Sequence, residues 1–414
     1  MEISQESRQA FGVFKFKEFR AYQISRFLIT IALQMQSVIV GWLIYQQTKD
    51  ALSLGLIGLT EAIPAIGVAL YAGHVADKYS RKKIIVACVG VLTLAYASMI
   101  FITYDLSGSM AHVGLVLIYC IIFTTGFCRG FIQPAMVAFM PQLIPKEHYS
   151  RGVIWNSSIW QAAAVTGPAV GGLVYGYTNV TVAYIVVVSL LALSFFILIT
   201  QIKHKPIPEQ IIGEPISQRI KAGIHFVRDN QALLGAITLD LFAVLFGGVT
   251  AVLPIFADKI LHTGPEGLGW LRAAPSIGSV LIALYMAYHP PLRKAGMKLF
   301  GVVAGFGLCM IAFAFSHNFY LSFFILFLSG CFDNVSVIVR SSIIQLLVPD
   351  NMRGRVSAVN SIFIGSSNEI GAFESGTAAK FMGLIPSVIF GGTMTLLVVA
   401  GSFRFMPALK KLNL

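Results

Sequence analysis

Residues 152–202 contain no Asp, Glu, Lys or Arg. A helix that crosses a membrane needs about 20 consecutive apolar residues, so this run is long enough for two crossings. The polar residues 175–179 in its middle provide the turn between them. Because a charge-free run of this length cannot cover the surface of a water-soluble protein, the chain is predicted to fold in a lipid bilayer.

The composition of the whole chain supports a membrane protein. Only 12% of the 414 residues are charged and 56% are hydrophobic, whereas soluble proteins carry about 25% charged residues. In hydrocarbon every backbone donor and acceptor needs a partner within its own segment, so each apolar run is predicted to be helical. The predicted spans are 21–46, 53–72, 82–103, 112–140, 152–176, 180–202, 230–257, 267–288, 297–316, 319–347, 355–378 and 382–405.

The basic residues predict how these spans are oriented. The chain carries 30 Lys and Arg, and only Lys49, Lys259 and Lys380 fall in loops on the side opposite the termini. The positive-inside rule therefore predicts that both termini are cytoplasmic. An excess of basic residues in the cytoplasmic loops explains the net charge of +12. A nucleic-acid partner is not expected, because the basic residues are scattered over short hairpins rather than grouped on one face.

Several other classes of protein are disfavoured by what the sequence lacks. The first twenty residues show no cleavage site of a signal peptide, so the first apolar run is expected to be a retained helix. The five cysteines fall inside apolar runs without metal-ligand spacing, which predicts free thiols and no metal site. No phosphate-binding loop of the Walker type occurs, so ATP is not expected to drive any cycle, and no cofactor is predicted.

The polar segment 203–229 divides the chain near its middle. Six predicted spans precede it and six follow, which predicts domains at 1–202 and 230–414 joined by a cytoplasmic linker. Within the linker, 218–227 is predicted to form an amphipathic helix on the membrane surface. The two halves also show sparse internal similarity, since aligning Pro145 with Pro349 places Arg129 opposite Asp333.

The loop 73–83 reads GHVADKYSRKK between two apolar runs. It resembles the signature loop of the major facilitator superfamily, with Ser80 where the family usually has glycine. The resemblance implies two pseudo-symmetric six-helix bundles, a site near the bilayer midplane and alternating access. It also implies a conformational latch between this loop and the start of span eleven. The latch residues are Gly73, Asp77, Arg81, Arg353 and Arg355.

Span five contains the string TGPAVGG at 166–172. It resembles the core of the antiporter motif of exporters in the same superfamily, and the matching residues are Gly167, Pro168, Gly171 and Gly172. Small residues of this kind let a neighbouring helix approach closely. Ordinary small-residue packing is the alternative. The resemblance favours export.

The stretch 353–376 contains RGRVSAVN followed by SNEIGAFESG. It resembles the enterobactin exporter subfamily, the transmembrane secretion effectors. The resemblance implies a monomer in the inner membrane that exports a small organic molecule, a siderophore or a drug-like compound, in exchange for protons. It implies no enzymatic activity.

Ionisable side chains inside spans are functional hypotheses by default. A carboxylate in a low-dielectric cavity can bind and release a proton in each cycle. The alternative is a fixed ion pair with Arg129, Arg272 or Arg340. The candidates for proton coupling or for the substrate cavity are Glu61, Arg129, Gln133, Asp240, Asp333, Arg340 and Glu369.

Two other functions stay open at this point. A symporter that imports a nutrient would use the same fold, although the antiporter core in span five speaks against it. A membrane sensor or an embedded enzyme would need a soluble output domain or clustered histidines at one depth, and the sequence shows neither.

Overall fold

The structure, a computed structural model, describes residues 11–104, 111–203, 205, 216–288 and 294–412. Helices dominate these residues, and no strand occurs among them. The predicted all-α membrane fold is therefore confirmed. The long helices are α1 Lys17–Thr48, α2 Ala51–Lys78, α3 Arg81–Tyr104, α4 Ala111–Phe139, α5 Tyr149–Tyr177, α6 Val180–Gln201, α7 Ile216–Asp229, α8 Gln231–Gly247, α9 Pro265–Tyr288, α10 Ala295–Ala314, α11 Phe319–Leu347, α12 Asp350–Met382 and α13 Leu384–Phe405.

Ten helical segments in the described part of the chain are long and apolar enough to cross a membrane, and one of them, Gln231–Ile260, consists of α8 and the short helical turns that follow it. Helices α5 and α12 are equally long but are not among the ten, because glycine and polar side chains interrupt their apolar runs. A total of twelve crossings is compatible with these helices.

Three of the helices have an asparagine as their N-cap residue. Asn179, Asn230 and Asn318 precede α6, α8 and α11, and each accepts a backbone N–H from the first turn. An N-cap of this kind satisfies donors that the helix itself leaves unpaired. The short polar turns of the sequence therefore set where these helices begin.

The chain groups into two compact units. The first contains Met1–Val40 and Ile63–Ile212, and the second contains Gly41–Ala62 and Gly213–Leu414. The end of α1 and the start of α2 thus belong with the second unit. The predicted domains at 1–202 and 230–414 stay a prediction, and this grouping differs from them at 41–62.

In the first unit, α3 packs against both α4 and α6. In the second unit, a buried apolar core joins α8, α10 and α11. Helices α9 and α11 approach closely at Gly278 and Gly330, where an added Cβ would lie 2.1 Å and 2.0 Å from backbone oxygens of the facing helix.

The linker helix α7 packs against α12. An added Cβ on Gly223 would lie 2.8 Å from the carbonyl oxygen of Arg355, and Val227 is buried in the core of the second unit. The predicted surface helix therefore exists, but one of its faces is covered by protein. Of the predicted linker, the structure describes only 203, 205 and 216–229.

The seventh predicted span, 230–257, is not one continuous helix, which corrects the sequence prediction. Helix α8 ends at Gly247, and the chain continues through the 3₁₀ turn Val249–Ala251, the single turn Leu253–Ile255 and the π-helical turn Phe256–Ile260. Two consecutive glycines weaken a helix, and Pro254 lacks the N–H that a continuous helix needs. Irregular backbone at membrane depth requires partners from other helices.

Candidate functional site

A buried ion pair links two helices of the second unit. Asp240 on α8 is 4% exposed and Arg340 on α11 is 3% exposed. Nη1 of Arg340 contacts Oδ2 of Asp240, and the Ser336 hydroxyl donates to Oδ1 of Asp240 at 3.3 Å. Of the three arginines that the sequence offered as partners, Arg340 is the one that pairs with Asp240.

The guanidinium of Arg340 has more donors than this pair uses. Its Nε is buried and has no hydrogen-bond partner among the described residues. Leaving a buried donor unpaired costs about 1–3 kcal/mol. Asp333 lies two turns earlier on α11 and is half-buried. This part of α8 and α11 therefore contains polar groups, the Nε of Arg340 and the carboxylate of Asp333, that are available to bind a further ligand or proton.

Arg272 on α9 forms a second charged centre in the same unit. Its Nη2 donates to the carbonyl oxygen of Thr250 at 3.3 Å. Glu61 on α2 and Glu369 on α12 both lie within electrostatic reach of this guanidinium. Charged side chains from three predicted spans thus interact electrostatically around Arg272. Arg272 also donates a hydrogen bond to the irregular backbone that follows α8.

The break after α8 has a further partner on α12. The Ser375 hydroxyl donates to the carbonyl oxygen of Gly248 at 2.6 Å. Together with the bond from Arg272, this contact gives partners to two carbonyls of the interrupted segment. The Thr250 carbonyl would lack a helical partner in any case, because Pro254 has no N–H. Interrupted membrane helices of this kind recur at the substrate sites of transporters.

A third polar group surrounds the turn between α1 and α2, and we name it the turn cluster. Tyr45 donates to Oδ2 of Asp258 at 2.6 Å, and Nζ of Lys49 lies 3.2 Å from the same oxygen. Nζ of Lys380 lies 2.5 Å from Oδ1 of Asp50. The hydrogen bond from Lys380 holds the pKa of Asp50 below its usual value.

Sequence reasoning missed the turn cluster. A signal was nevertheless present, because Lys49 and Lys380 are two of only three basic residues in the predicted opposite loops. Each contacts an acidic residue, Asp258 or Asp50. An isolated lysine on the side that the positive-inside rule keeps poor in basic residues is therefore a useful indicator of a local ion pair.

The antiporter residues bring α5 close to α1 in the first unit. An added Cβ on Gly167 would lie 2.5 Å from Cβ of Gln34, and one on Gly171 would lie 2.9 Å from Cα of Met35. Pro168 and Gly172 are buried beside them. The close approach of a neighbouring helix follows directly from the missing side chains.

Arg129 and Gln133 occupy neighbouring turns of α4. Arg129 is half-buried, whereas Gln133 is exposed. Between them, Gly130 packs closely on α2, where an added Cβ would meet Cγ2 of Val68 at 2.4 Å.

The latch residues are placed only in part. Nε of Arg81 donates to the carbonyl of Ala76 at 3.2 Å, and its Nη1 donates to the carbonyl of Ala138 at 2.7 Å. An added Cβ on Gly73 would meet nothing within 4 Å among the described residues. Close packing against a neighbouring helix therefore does not require a glycine at position 73 in this structure.

The partner side of the latch begins α12. Arg355 is half-buried in the first turns of that helix. The side chains of Asp77 and Arg353 lie outside the described part of the structure. The latch itself stays a prediction.

Comparison with known proteins identifies relatives over nearly the whole chain. The family model described as transmembrane secretion effector matches residues 8–413. The enterobactin exporter EntS of Shigella boydii serotype 18 is 25% identical over 398 residues, covering 94% of this chain and 93% of the relative. EntS of Escherichia coli O81 is 24% identical with the same coverage.

Solved transporters share the fold. A D-xylose-proton symporter aligns with a TM-score of 0.73 at 13% identity, covering 96% of this chain and 99% of the symporter. A bacterial homologue of the human lysosomal transporter Spinster, solved in an inward-facing and unoccupied conformation, aligns with a TM-score of 0.73 at 13% identity, covering 96% and 98%. At this level of identity the likeness is one of fold alone.

Proposed function

Because this chain belongs to the transmembrane secretion effector family of major facilitator transporters, we propose that it exports a small organic molecule in exchange for protons. As a member of that family the chain is a multi-pass membrane transporter. The similarity to enterobactin exporters supports a siderophore as cargo, with a drug-like amphipathic compound as the broader class. In this proposal the protein works as a monomer in the inner membrane, with both termini in the cytoplasm.

The proposal of proton coupling rests on the buried ion pair between Asp240 and Arg340. Protonation of Asp240 would remove the negative charge and leave Arg340 buried without a counterion. Breaking a buried pair in this way costs about 3–5 kcal/mol. Reversing a two-state equilibrium from 1:99 to 99:1 requires about 5.5 kcal/mol. Protonation of Asp240 would therefore destabilise the conformation in which the pair is formed, by an amount comparable to the free energy that shifts such an equilibrium.

The other charged groups have supporting roles in this proposal. Arg272, with Glu61 and Glu369, would respond to the same cycle through the broken segment after α8. Arg129 and Gln133 on α4 and Asp333 on α11 would line the path of cargo or protons. The latch residues of the 73–83 loop and of α12 would hold one of the alternating states.

Metabolite profiling of a deletion strain under iron limitation tests cargo and direction together. An exporter deletion should retain the compound inside the cell and deplete it from the medium, and plasmid-borne wild-type protein should reverse both changes. Unchanged distribution of all siderophores and amphipathic metabolites would contradict the proposed export.

The retained compound then allows a direct test of proton coupling in inside-out vesicles. The Asp240→Asn variant should lose transport driven by a pH gradient but keep exchange of labelled cargo without a gradient. Asp240→Glu is the matched control, because it keeps a carboxylate at this position and should retain part of the coupled transport. Normal gradient-driven transport by Asp240→Asn would remove Asp240 from the mechanism.

Proton-coupled import of a nutrient is the alternative, and the shared fold of a D-xylose-proton symporter keeps it open. An importer deletion would lower uptake into whole cells instead of raising retention inside them. The same strain therefore separates the two directions.

A further inference from the structure

An open apolar groove runs along α3 and α6 in the first unit. Its volume is about 590 Å³. Val86, Gly90 and Leu94 line it from α3, and Phe195 and Ile199 line it from α6. The groove owes its depth to Gly90, where an added Cβ would lie 3.1 Å from Cε2 of Phe195. A larger residue at this position would fill the space between the two helices.

Two lysines close one end of the groove. Nζ of Lys82 donates to the carbonyl oxygens of Ile199 and Ile202, at 3.1 Å and 2.5 Å. These bonds neutralise the negative end of α6, where helix carbonyls would otherwise repel an anion. Lys83 also lines the groove and is exposed. The groove therefore has a cationic end and an apolar body.

The nearby acidic residue does not cancel this charge. Glu18 accepts the backbone N–H of Lys203, just beyond Ile202, at 3.0 Å and pairs with Lys205. With Glu18 paired to Lys205, Lys82 and Lys83 leave this end of the groove with a net positive charge.

The length of the groove matches one leaflet of a bilayer. The lining residues of α3 extend from Lys82 to Leu94, which spans about 18 Å at 1.5 Å per residue. Half of the hydrocarbon core of a bilayer is about 15 Å. An acyl chain that lies along the groove would thus place its headgroup at the two lysines.

We propose that this groove binds an anionic phospholipid, with the headgroup phosphate at Lys82 and Lys83 and one acyl chain between α3 and α6. Basic pockets between helices at the cytoplasmic face are a recurring way to recognise such headgroups. None of its residues belongs to the ion pairs or is one of the latch residues named above, so the test of lipid binding does not depend on the proposed export.

Native mass spectrometry of the purified full-length protein tests the proposal, with phosphatidylglycerol and phosphatidylcholine titrated in the same detergent. The wild type should bind phosphatidylglycerol more tightly than phosphatidylcholine. Lys83→Gln should weaken binding of phosphatidylglycerol about fivefold and leave phosphatidylcholine unchanged. Ala87→Phe, which fills the groove at another lining position, should weaken both lipids.

Lys298→Gln is the matched control, because Lys298 is an exposed lysine in the first turn of α10 and does not line the groove. It should leave binding of both lipids unchanged. Equal affinity of the wild type for the two lipids would overturn the proposal. So would a loss in Lys298→Gln as large as that in Lys83→Gln, or unchanged lipid binding by Ala87→Phe in a monodisperse preparation.

Discussion

Arg340 pairs with Asp240 across α8 and α11, and both side chains are almost fully withdrawn from solvent. A pair in this position is sensitive to the loss of either charge, because the remaining ion is then buried alone. The same sensitivity makes the pair suitable for coupling to a proton.

The first prediction concerns the stability of this pair. Asp240→Asn and Arg340→Gln should each destabilise the protein by about 3–5 kcal/mol. The double variant should be more stable than the sum of the two losses allows, because it leaves no lone charge. Thermal unfolding in detergent measures all three, and strictly additive losses would show that the two residues do not interact.

The second prediction concerns the approach of α5 to α1. Gly171→Ala should destabilise the protein by about 1–3 kcal/mol, because the new Cβ would lie 2.9 Å from Cα of Met35 and the helices must separate. Gly67→Ala is the control, since an added Cβ there meets nothing within 4 Å. It should be neutral or stabilising by up to about 1 kcal/mol, because alanine is the better helix former. Equal unfolding temperatures for the two variants would contradict this view of the antiporter residues.

The third prediction concerns the pH dependence of the turn cluster. Lys380 holds the pKa of Asp50 below its usual value. A carboxylate with a lowered pKa in the folded state adds stability above its unfolded pKa, and loses it as the pH falls through the folded pKa. At neutral pH, Lys380→Gln should therefore be less stable than the wild type by about 0.2–1 kcal/mol, the range of exposed pairs.

Unfolding temperatures measured from pH 7 down to about pH 3 check this prediction, since Asp titrates near pH 3.9 when unperturbed. The curves of wild type and Lys380→Gln should converge at the acidic end. A constant difference across this range would mean that the Asp50 carboxylate is not the partner that matters.

The fourth prediction concerns orientation. In a background without native cysteines, Lys49→Cys should react with a membrane-impermeant maleimide in intact cells, because Lys49 is exposed in the turn between α1 and α2. Lys83→Cys, exposed at the start of α3, should react only after permeabilisation. The opposite pattern would reverse the topology that the positive-inside rule predicts.

The helical fold could be predicted from the sequence because the requirement for internal hydrogen bonds in lipid acts on each segment separately. The close approach at Gly167 and Gly171 was equally accessible, because a missing side chain is visible in the sequence. The break after Gly247 was not predicted, although Gly248 and Pro254 were present. Whether such residues interrupt a helix depends on partners such as Ser375 and Arg272 from other helices.

The sequence by itself determined that the chain is a bundle of membrane helices and which family the chain belongs to. Its short polar turns also determined where several of these helices begin. These properties follow from local composition and from short motifs. Only the tertiary structure decided that Asp240 pairs with Arg340, that Lys380 pairs with Asp50, and that Glu61 and Glu369 lie within electrostatic reach of Arg272. The physical reason is that a buried charge takes its partner from the helix packed beside it, and hydropathy along one chain does not encode which helices are neighbours.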